Sequence, residues 1–145
     1  MRHHLILRVI TKLLVPPIVL FALYVQFHGD YSPGGGFQAG VIFAAGLILF
    51  GIVYGLRKVK QVFPPWLVHK LAAFGVLLYG GTGVISLLRG KPFLDYSALA
   101  HDAVHGQHYG IIAVELGVGI TVTSVMVAIY YAFAARPPRI NDEDW

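Results

Sequence analysis

Four long apolar segments dominate this sequence. They run over about residues 9–27, 37–56, 66–88 and 109–134. Each is close to or above the ~20 residues that an α-helix needs to cross about 30 Å of hydrocarbon. Only 12% of the 145 residues are charged, whereas a soluble domain of this size carries about 25%. The sequence therefore predicts an all-α integral membrane protein in which residues 1–145 form one four-helix membrane domain.

The first segment follows basic residues, so a cleaved secretory signal peptide is the competing interpretation. No small-residue cleavage site follows it, because residues 25–28 read VQFH. We therefore predict a retained helix. Pro16 and Pro17 lie inside it and remove two backbone donors, which predicts a kink that fits a neighbouring helix. A freed carbonyl that serves a cation is the alternative.

The basic residues divide unequally between the two ends of these segments. The positive-inside rule assigns the richer end to the cytoplasm. Both termini and the predicted loop 57–65 would then be cytoplasmic, and the loop 89–108 external. The richer group is Arg2, Arg8, Lys12, Arg57, Lys58, Lys60, Lys70, Arg136 and Arg139, and the poorer group is Arg89 and Lys91.

The sequence offers little to an enzyme. It has no cysteine, which excludes disulfides, thiolate metal sites and cysteine nucleophiles. It also contains no nucleophile–base pair, phosphate-binding loop or cofactor motif, so we expect neither catalysis nor a cofactor. The formal net charge of +4 does not indicate nucleic-acid binding, because the basic residues form short clusters between apolar runs.

Glu115 is an ionisable residue well inside an apolar segment. Burying a carboxylate there costs roughly 3 kcal/mol, and such residues usually have a function. We predict a proton- or cation-relay carboxylate, with a structural carboxylate bonded to another helix as the alternative. His69 and Lys70 open the third segment. Lys70 either reaches the membrane surface on its long side chain or pairs with a carboxylate of another subunit, and His69 could titrate near neutral pH.

A second titratable cluster reads HDAVHGQH over residues 101–108. Its spacing puts His101, His105 and His108 on roughly one helical face, which a divalent metal could exploit. An outward-facing metal-binding or sensing protein is therefore a hypothesis of a different class. A solvated loop cluster is the more common arrangement, and we predict no metal site.

The stretch HGDYSPGGGFQAG, residues 28–40, joins the first two segments. Its glycines permit positive φ and close approach of another backbone. Free N–H groups at the start of the second helix attract a carboxylate, and Asp30 is a candidate for it. GxxxG pairs at 36/40, 51/55 and 106/110 predict tight helix contact, within this chain or with a neighbouring one.

Two of these segments resemble a known family. The stretch HGDYSPGGGFQAGVIFAAGLIL resembles the signature of the B subunit of Mrp-type multisubunit sodium/proton antiporters, and HYGIIAVELGVGITVTSVMVAIYYAF is similar to that family's last helix. The resemblance extends over essentially the whole chain. By position, Glu115 matches the family's acidic residue. The motif block with its following glycine is Pro33, Gly34, Gly35, Gly36, Phe37 and Gly40.

The resemblance implies a small subunit of a hetero-oligomeric transporter in a bacterial or archaeal cell membrane. Such complexes exchange Na⁺ for H⁺, and this subunit would pack beside larger antiporter subunits and contribute to the cation or proton path. The segment 30–32, Asp-Tyr-Ser, departs from the family, which often has His or Asn before a proline. The competing hypothesis is a purely structural scaffold that docks helices of a membrane arm like that of respiratory complex I.

Overall fold

A computed structural model describes residues 5–29, 34–99 and 102–136. All regular structure in these ranges is helical. The helices are α1 (Leu5–Phe27), α2 (Gly36–Tyr54), α3 (Leu56–Val62), α4 (Pro65–Leu88) and α5 (Ala103–Ala134), with a 3₁₀ turn at Tyr96–Ala98. In this part of the chain α1, α2, α4 and α5 are long and apolar enough to cross a membrane. The predicted all-α fold with four spans is confirmed.

The connections contain more helix than the sequence predicts. Residues 57–65, expected as a loop, hold most of the short helix α3. Helix α5 begins six residues earlier than its apolar segment, because Asp102 caps it and its side chain accepts a hydrogen bond from the Val104 amide (3.3 Å). Polarity identifies where a span leaves the membrane, whereas the helix continues until a cap or a turn ends it.

The spans pack in the order α1, α2, α5, α4. Small residues set the spacing, as expected where lipid removes the hydrophobic drive between helices. At the α4–α5 contact, a Cβ built at Gly75 would lie 2.6 Å from the Gly117 carbonyl oxygen. At the α1–α2 contact, a Cβ at Gly46 would lie 3.3 Å from a side-chain carbon of Ile18. The backbones of α4 and α5 therefore approach closely, and at the α1–α2 contact Gly46 makes room for the side chain of Ile18.

One end of the bundle is closed by a small buried cluster. It ties α3 to the spans, because the Tyr131 hydroxyl on α5 donates to the Phe63 carbonyl oxygen (2.6 Å) directly after α3. Here α1 begins, α2 ends and α5 ends. We call this the basic end, since most Lys and Arg side chains of the described residues lie there. The buried cluster is Ala44, Val59, Val68, Val127 and Tyr131.

The glycine pairs of the sequence do different things. Gly36 and Gly40 both pack α2 on α5. The pair 51/55 is not a packing pair, because only Gly51 meets a neighbour, the ring of Tyr130. Gly55 ends α2 at φ +96° with nothing within 4 Å of its Cβ position, so it is a turn residue. Sequence spacing alone does not separate these two uses of glycine.

Candidate functional site

The described ends of the connection between α1 and α2, residues 28–29 and 34–35, lie close to the end of α1, and we call them the glycine turn. The Gly35 amide donates to the Val25 carbonyl oxygen at 3.3 Å. Gly35 has φ +119°, a conformation that strongly favours glycine. A Cβ at Gly34 would lie 3.1 Å from the same Val25 oxygen. Gly35 thus adopts a backbone conformation that favours glycine, and Gly34 allows close backbone approach. Both uses were predicted for the glycines of residues 28–40.

Glu115 of α5 packs directly on this turn. A Cβ at Gly29 would overlap both carboxylate oxygens and lie 2.7 Å from Cδ of Glu115. A Cβ at Gly35 would lie 3.1 Å from Oε1. The side chain is half-buried. The carboxylate therefore lies over main chain at the level where α1 ends and α2 begins, near one end of the spans rather than at their centre.

The start of α2 favours a negative charge at this place. The first amide groups of a helix have no partner within the helix, and the N-terminus carries a partial positive charge worth about 0.3–1 kcal/mol to a nearby anion. The sequence suggested Asp30 for this position, and the structure places Glu115 beside it. Asp30 and Pro33 lie outside the described residues. Phe37 is 61% exposed and points away from the bundle.

Below the carboxylate, α2 and α5 touch through their backbones. A Cβ at Gly36 would overlap the Glu115 carbonyl oxygen and lie 2.8 Å from its carbon. One turn deeper, a Cβ at Gly40 would lie 2.7 Å from the Gly119 carbonyl oxygen. The Thr123 hydroxyl donates to the Gly40 carbonyl oxygen (3.1 Å). The 36/40 pair is therefore a contact within this chain.

A cavity of about 220 Å³ lies between α1, α2, α4 and α5, and its lining includes Leu116, the residue directly after Glu115. Most of its lining is apolar, but Gln26, Thr123 and Ser124 contribute polar groups. Gln26 is buried and its Oε1 contacts Gly119. Among the described residues, the buried Ser124 hydroxyl has no hydrogen-bond partner. None of the three was predicted from the sequence, although each is a polar residue within an apolar segment.

The structure does not bring His69 and Lys70 to this site. Both are exposed near the start of α4, at the basic end, about three helical turns from the level of Glu115. Nδ1 of His69 lies 2.6 Å from the Pro65 carbonyl oxygen. Nζ of Lys70 lies 5.1 Å from the ring centroid of Trp66. In this chain the Lys70 ammonium lies over an exposed ring of its own helix, and its reach to the membrane surface stays a prediction.

The predicted histidine cluster divides between described and undescribed residues. His105 and His108 are exposed on the first turns of α5, and His101 lies outside the described ranges. Nδ1 of His105 lies 2.9 Å from Oδ2 of Asp102. Within the described ranges, no three His, Asp or Glu side chains are grouped as a metal ion would require.

Comparison with known proteins assigns the chain. Residues 6–128 match the family described as "Domain related to MnhB subunit of Na+/H+ antiporter". The chain belongs to the MnhB family. The matched range contains the glycine turn, the α2–α5 contact and Glu115, so the site described above lies in the MnhB domain.

The MnhB relatives match over nearly their whole length. "Putative antiporter subunit mnhB2" of Staphylococcus haemolyticus strain JCSC1435 is 34% identical over 135 residues, which cover 91% of this chain and 95% of the relative. Proteins of the same name from Staphylococcus aureus strains Newman and JH1 are 34% identical over 130 residues, covering 88% of this chain and 92% of each relative. The resemblance to the antiporter B subunit is confirmed.

Proposed function

We propose that this MnhB-family protein is a membrane subunit of a multisubunit Na⁺/H⁺ antiporter in which Glu115 contributes to the cation or proton path. The observation that carries the proposal is the half-buried Glu115 carboxylate packed on the glycine turn. The names of the MnhB relatives support the antiporter assignment.

The surroundings of Glu115 suit a group that exchanges protons or attracts a cation. One side of the carboxylate is held against Gly29 and Gly35 at the positive end of α2. The residue as a whole is only partly buried within this chain. A relay group needs a fixed position and access to water or to a partner group. The contacts with Gly29 and Gly35 support the first condition, and the partial exposure of Glu115 supports the second.

The small number of acidic residues in the described spans favours a contributing subunit over a complete transporter. Among the described residues the acids are Asp95, Asp102 and Glu115. Of these, only Glu115 lies inside a membrane-spanning helix, because Asp102 is the cap of α5 and Asp95 follows α4. A continuous proton path needs several protonatable groups across the membrane. We therefore propose that larger antiporter subunits supply the rest of the path.

The experiment replaces Glu115 in the assembled complex. Glu115→Gln keeps the shape of the side chain and removes its charge, and Glu115→Ala removes both. We expect Na⁺/H⁺ exchange in everted vesicles to fall by roughly tenfold or more, as for loss of one proton-transfer group, while co-purification of the subunits is unchanged. Asp102→Asn is the matched control, since it neutralises an exposed acid at the start of the same helix and should leave exchange intact.

The competing candidate is a structural scaffold, which the backbone contact between Gly36 and Glu115 favours. A scaffold predicts that Glu115→Gln leaves exchange at the wild-type rate whenever the complex is assembled. That result would reject the transport role of Glu115 and would leave membership of the complex untouched.

We also propose that the basic end faces the cytoplasm. Of the described basic residues, only Arg89 and Lys91 lie away from this end, on the loop after α4. The chain has no cysteine, so single cysteines report sidedness without background. A cysteine at Arg57 should react with an impermeant thiol reagent only in everted vesicles, and one at Lys91 only in intact cells. The reverse pattern would refute this orientation.

A further inference from the structure

Two cations converge on one aromatic ring at the basic end. The guanidinium carbon of Arg8 lies 5.7 Å from the ring centroid of Tyr54, and Nζ of Lys58 lies 5.5 Å from it. Two contacts hold the ring in place. The Tyr54 hydroxyl donates to the Arg8 carbonyl oxygen (2.9 Å), and the ring of Phe50 stacks on it with 4.7 Å between the ring centroids. Arg8 belongs to α1 and Lys58 to α3, so the fold brings one charge from each of these helices to the same ring.

The described part of the chain supplies no anion for this pair. Nε of Arg8 is buried and has no hydrogen-bond partner among the described residues. The described acids Asp95 and Asp102 lie at the other end of the bundle, and Glu115 lies on the glycine turn. A buried donor without a partner is costly, and two like charges beside one ring repel each other. An anion that accepts from the terminal guanidinium nitrogens of Arg8 and lies near Lys58 would offset the repulsion between the two charges.

The aromatic rings near the pair favour a lipid headgroup as the source of the anion. Trp66 is 61% exposed at the same end, with the Lys70 ammonium over its ring. The Lys60 ammonium lies 5.5 Å from the ring centroid of Tyr131. Rings of Trp and Tyr collect where the membrane meets water, at the depth of the lipid headgroups. Helix α3 buries Val59 and exposes Arg57 and Lys58, as a helix lying in this interface does.

We propose that Arg8, Tyr54 and Lys58 form a binding site for the phosphate group of an anionic phospholipid. Arg8 would donate forked hydrogen bonds to the phosphate oxygens, and Lys58 would add a mobile point charge. Tyr54 positions both cations. The site would hold a lipid at the joint between α1, α2 and α3, and it is independent of the role of Glu115.

The test uses the assembled complex in nanodiscs of phosphatidylcholine, with or without an equal part of phosphatidylglycerol. Retained phosphatidylglycerol is measured by native mass spectrometry, and its affinity by titration. Lys58→Gln is compared with Arg57→Gln, which removes the same charge from the neighbouring exposed position of α3. Because Lys58 is exposed, its replacement leaves packing intact. The double variant Arg8→Gln/Lys58→Gln removes the whole cation pair.

We expect Lys58→Gln to weaken phosphatidylglycerol binding about fivefold and the double variant roughly 30-fold, with Arg57→Gln at least threefold less effective than Lys58→Gln. Equal losses for Arg57→Gln and Lys58→Gln would overturn the proposal, since they would show a diffuse surface charge. Inorganic phosphate in phosphatidylcholine nanodiscs is the second arm. If it stabilises the wild-type complex against heat as well as phosphatidylglycerol does, the ligand is a free phosphate and the lipid assignment is wrong.

Discussion

The contact between α2 and α5 allows a direct test of how strongly glycine holds this fold together. In Gly40→Ala the new Cβ would lie 2.7 Å from the Gly119 carbonyl oxygen and 2.9 Å from Cβ of Val122. Carbon atoms in folded proteins essentially never approach neighbours so closely. Both obstructing atoms belong to or adjoin the backbone of α5, so no side-chain rotation relieves the overlap. The two helices must move apart.

The magnitude follows from a matched pair of variants. Overpacking of this kind costs about 1–3 kcal/mol. Replacing a helical glycine by alanine returns about 0.5–1 kcal/mol of backbone entropy. Gly81→Ala in α4 isolates this gain, because nothing lies within 4 Å of the Cβ position at Gly81. The difference in stability between the two variants should therefore equal the overpacking cost alone, with Gly40→Ala the less stable.

Both variants are measured as the full-length chain in the same detergent. Heating followed by size-exclusion chromatography gives the apparent melting temperature, and titration with SDS monitored by circular dichroism gives the free energy of unfolding. We expect Gly40→Ala to melt below the wild type and Gly81→Ala at or above it. Equal stability of Gly40→Ala and Gly81→Ala would show that α2 and α5 are not in backbone contact at this point.

Two further substitutions test single features of the structure. Gly55→Ala should lower the free energy of unfolding by about 1–3 kcal/mol, because the residue has φ +96° and ψ 152°, which a side chain strains even though its Cβ position is open. An unchanged SDS titration would contradict this backbone conformation. Ser124→Ala should leave the stability of the isolated chain unchanged or raise it by up to about 1 kcal/mol, since its buried hydroxyl has no partner among the described residues. A clear loss of stability would show that the hydroxyl is hydrogen-bonded.

The spans were predictable because the membrane imposes one length and one polarity on every crossing helix. Residues 37–56 and 66–88 of the sequence analysis correspond closely to α2 and α4. The glycine turn between α1 and α2 was also predictable as a place of close backbone approach. Its partner was not, because a pattern of small residues shows that something comes near without showing what. The structure identifies that partner as Glu115 of the same chain.

Other features depend on three-dimensional contacts that no local pattern encodes. Helix α3 is stabilised by the hydrogen bond from Tyr131, 68 residues further along the chain than Phe63. Gln26 and Ser124 line one cavity although almost a hundred residues separate them. Glycines 51 and 55 share a motif but only one of them packs. For His69 and Lys70 the sequence showed a titratable ring and a charge at the start of a span. Only the fold shows that they lie at the opposite end from Glu115.

The backbone contact between α2 and α5 also restricts how this subunit can move. Gly36 faces the Glu115 carbonyl and Gly40 faces the Gly119 carbonyl, so each glycine accommodates one particular peptide group. Sliding one helix along the other by about 1.5 Å, the rise of one residue, would move each carbonyl out of the space that its glycine leaves. The contacts thus hold α2 and α5 in one register. Gly75 of α4 faces the Gly117 carbonyl in the same way, so any displacement of α2, α4 and α5 relative to one another would have to open a backbone contact.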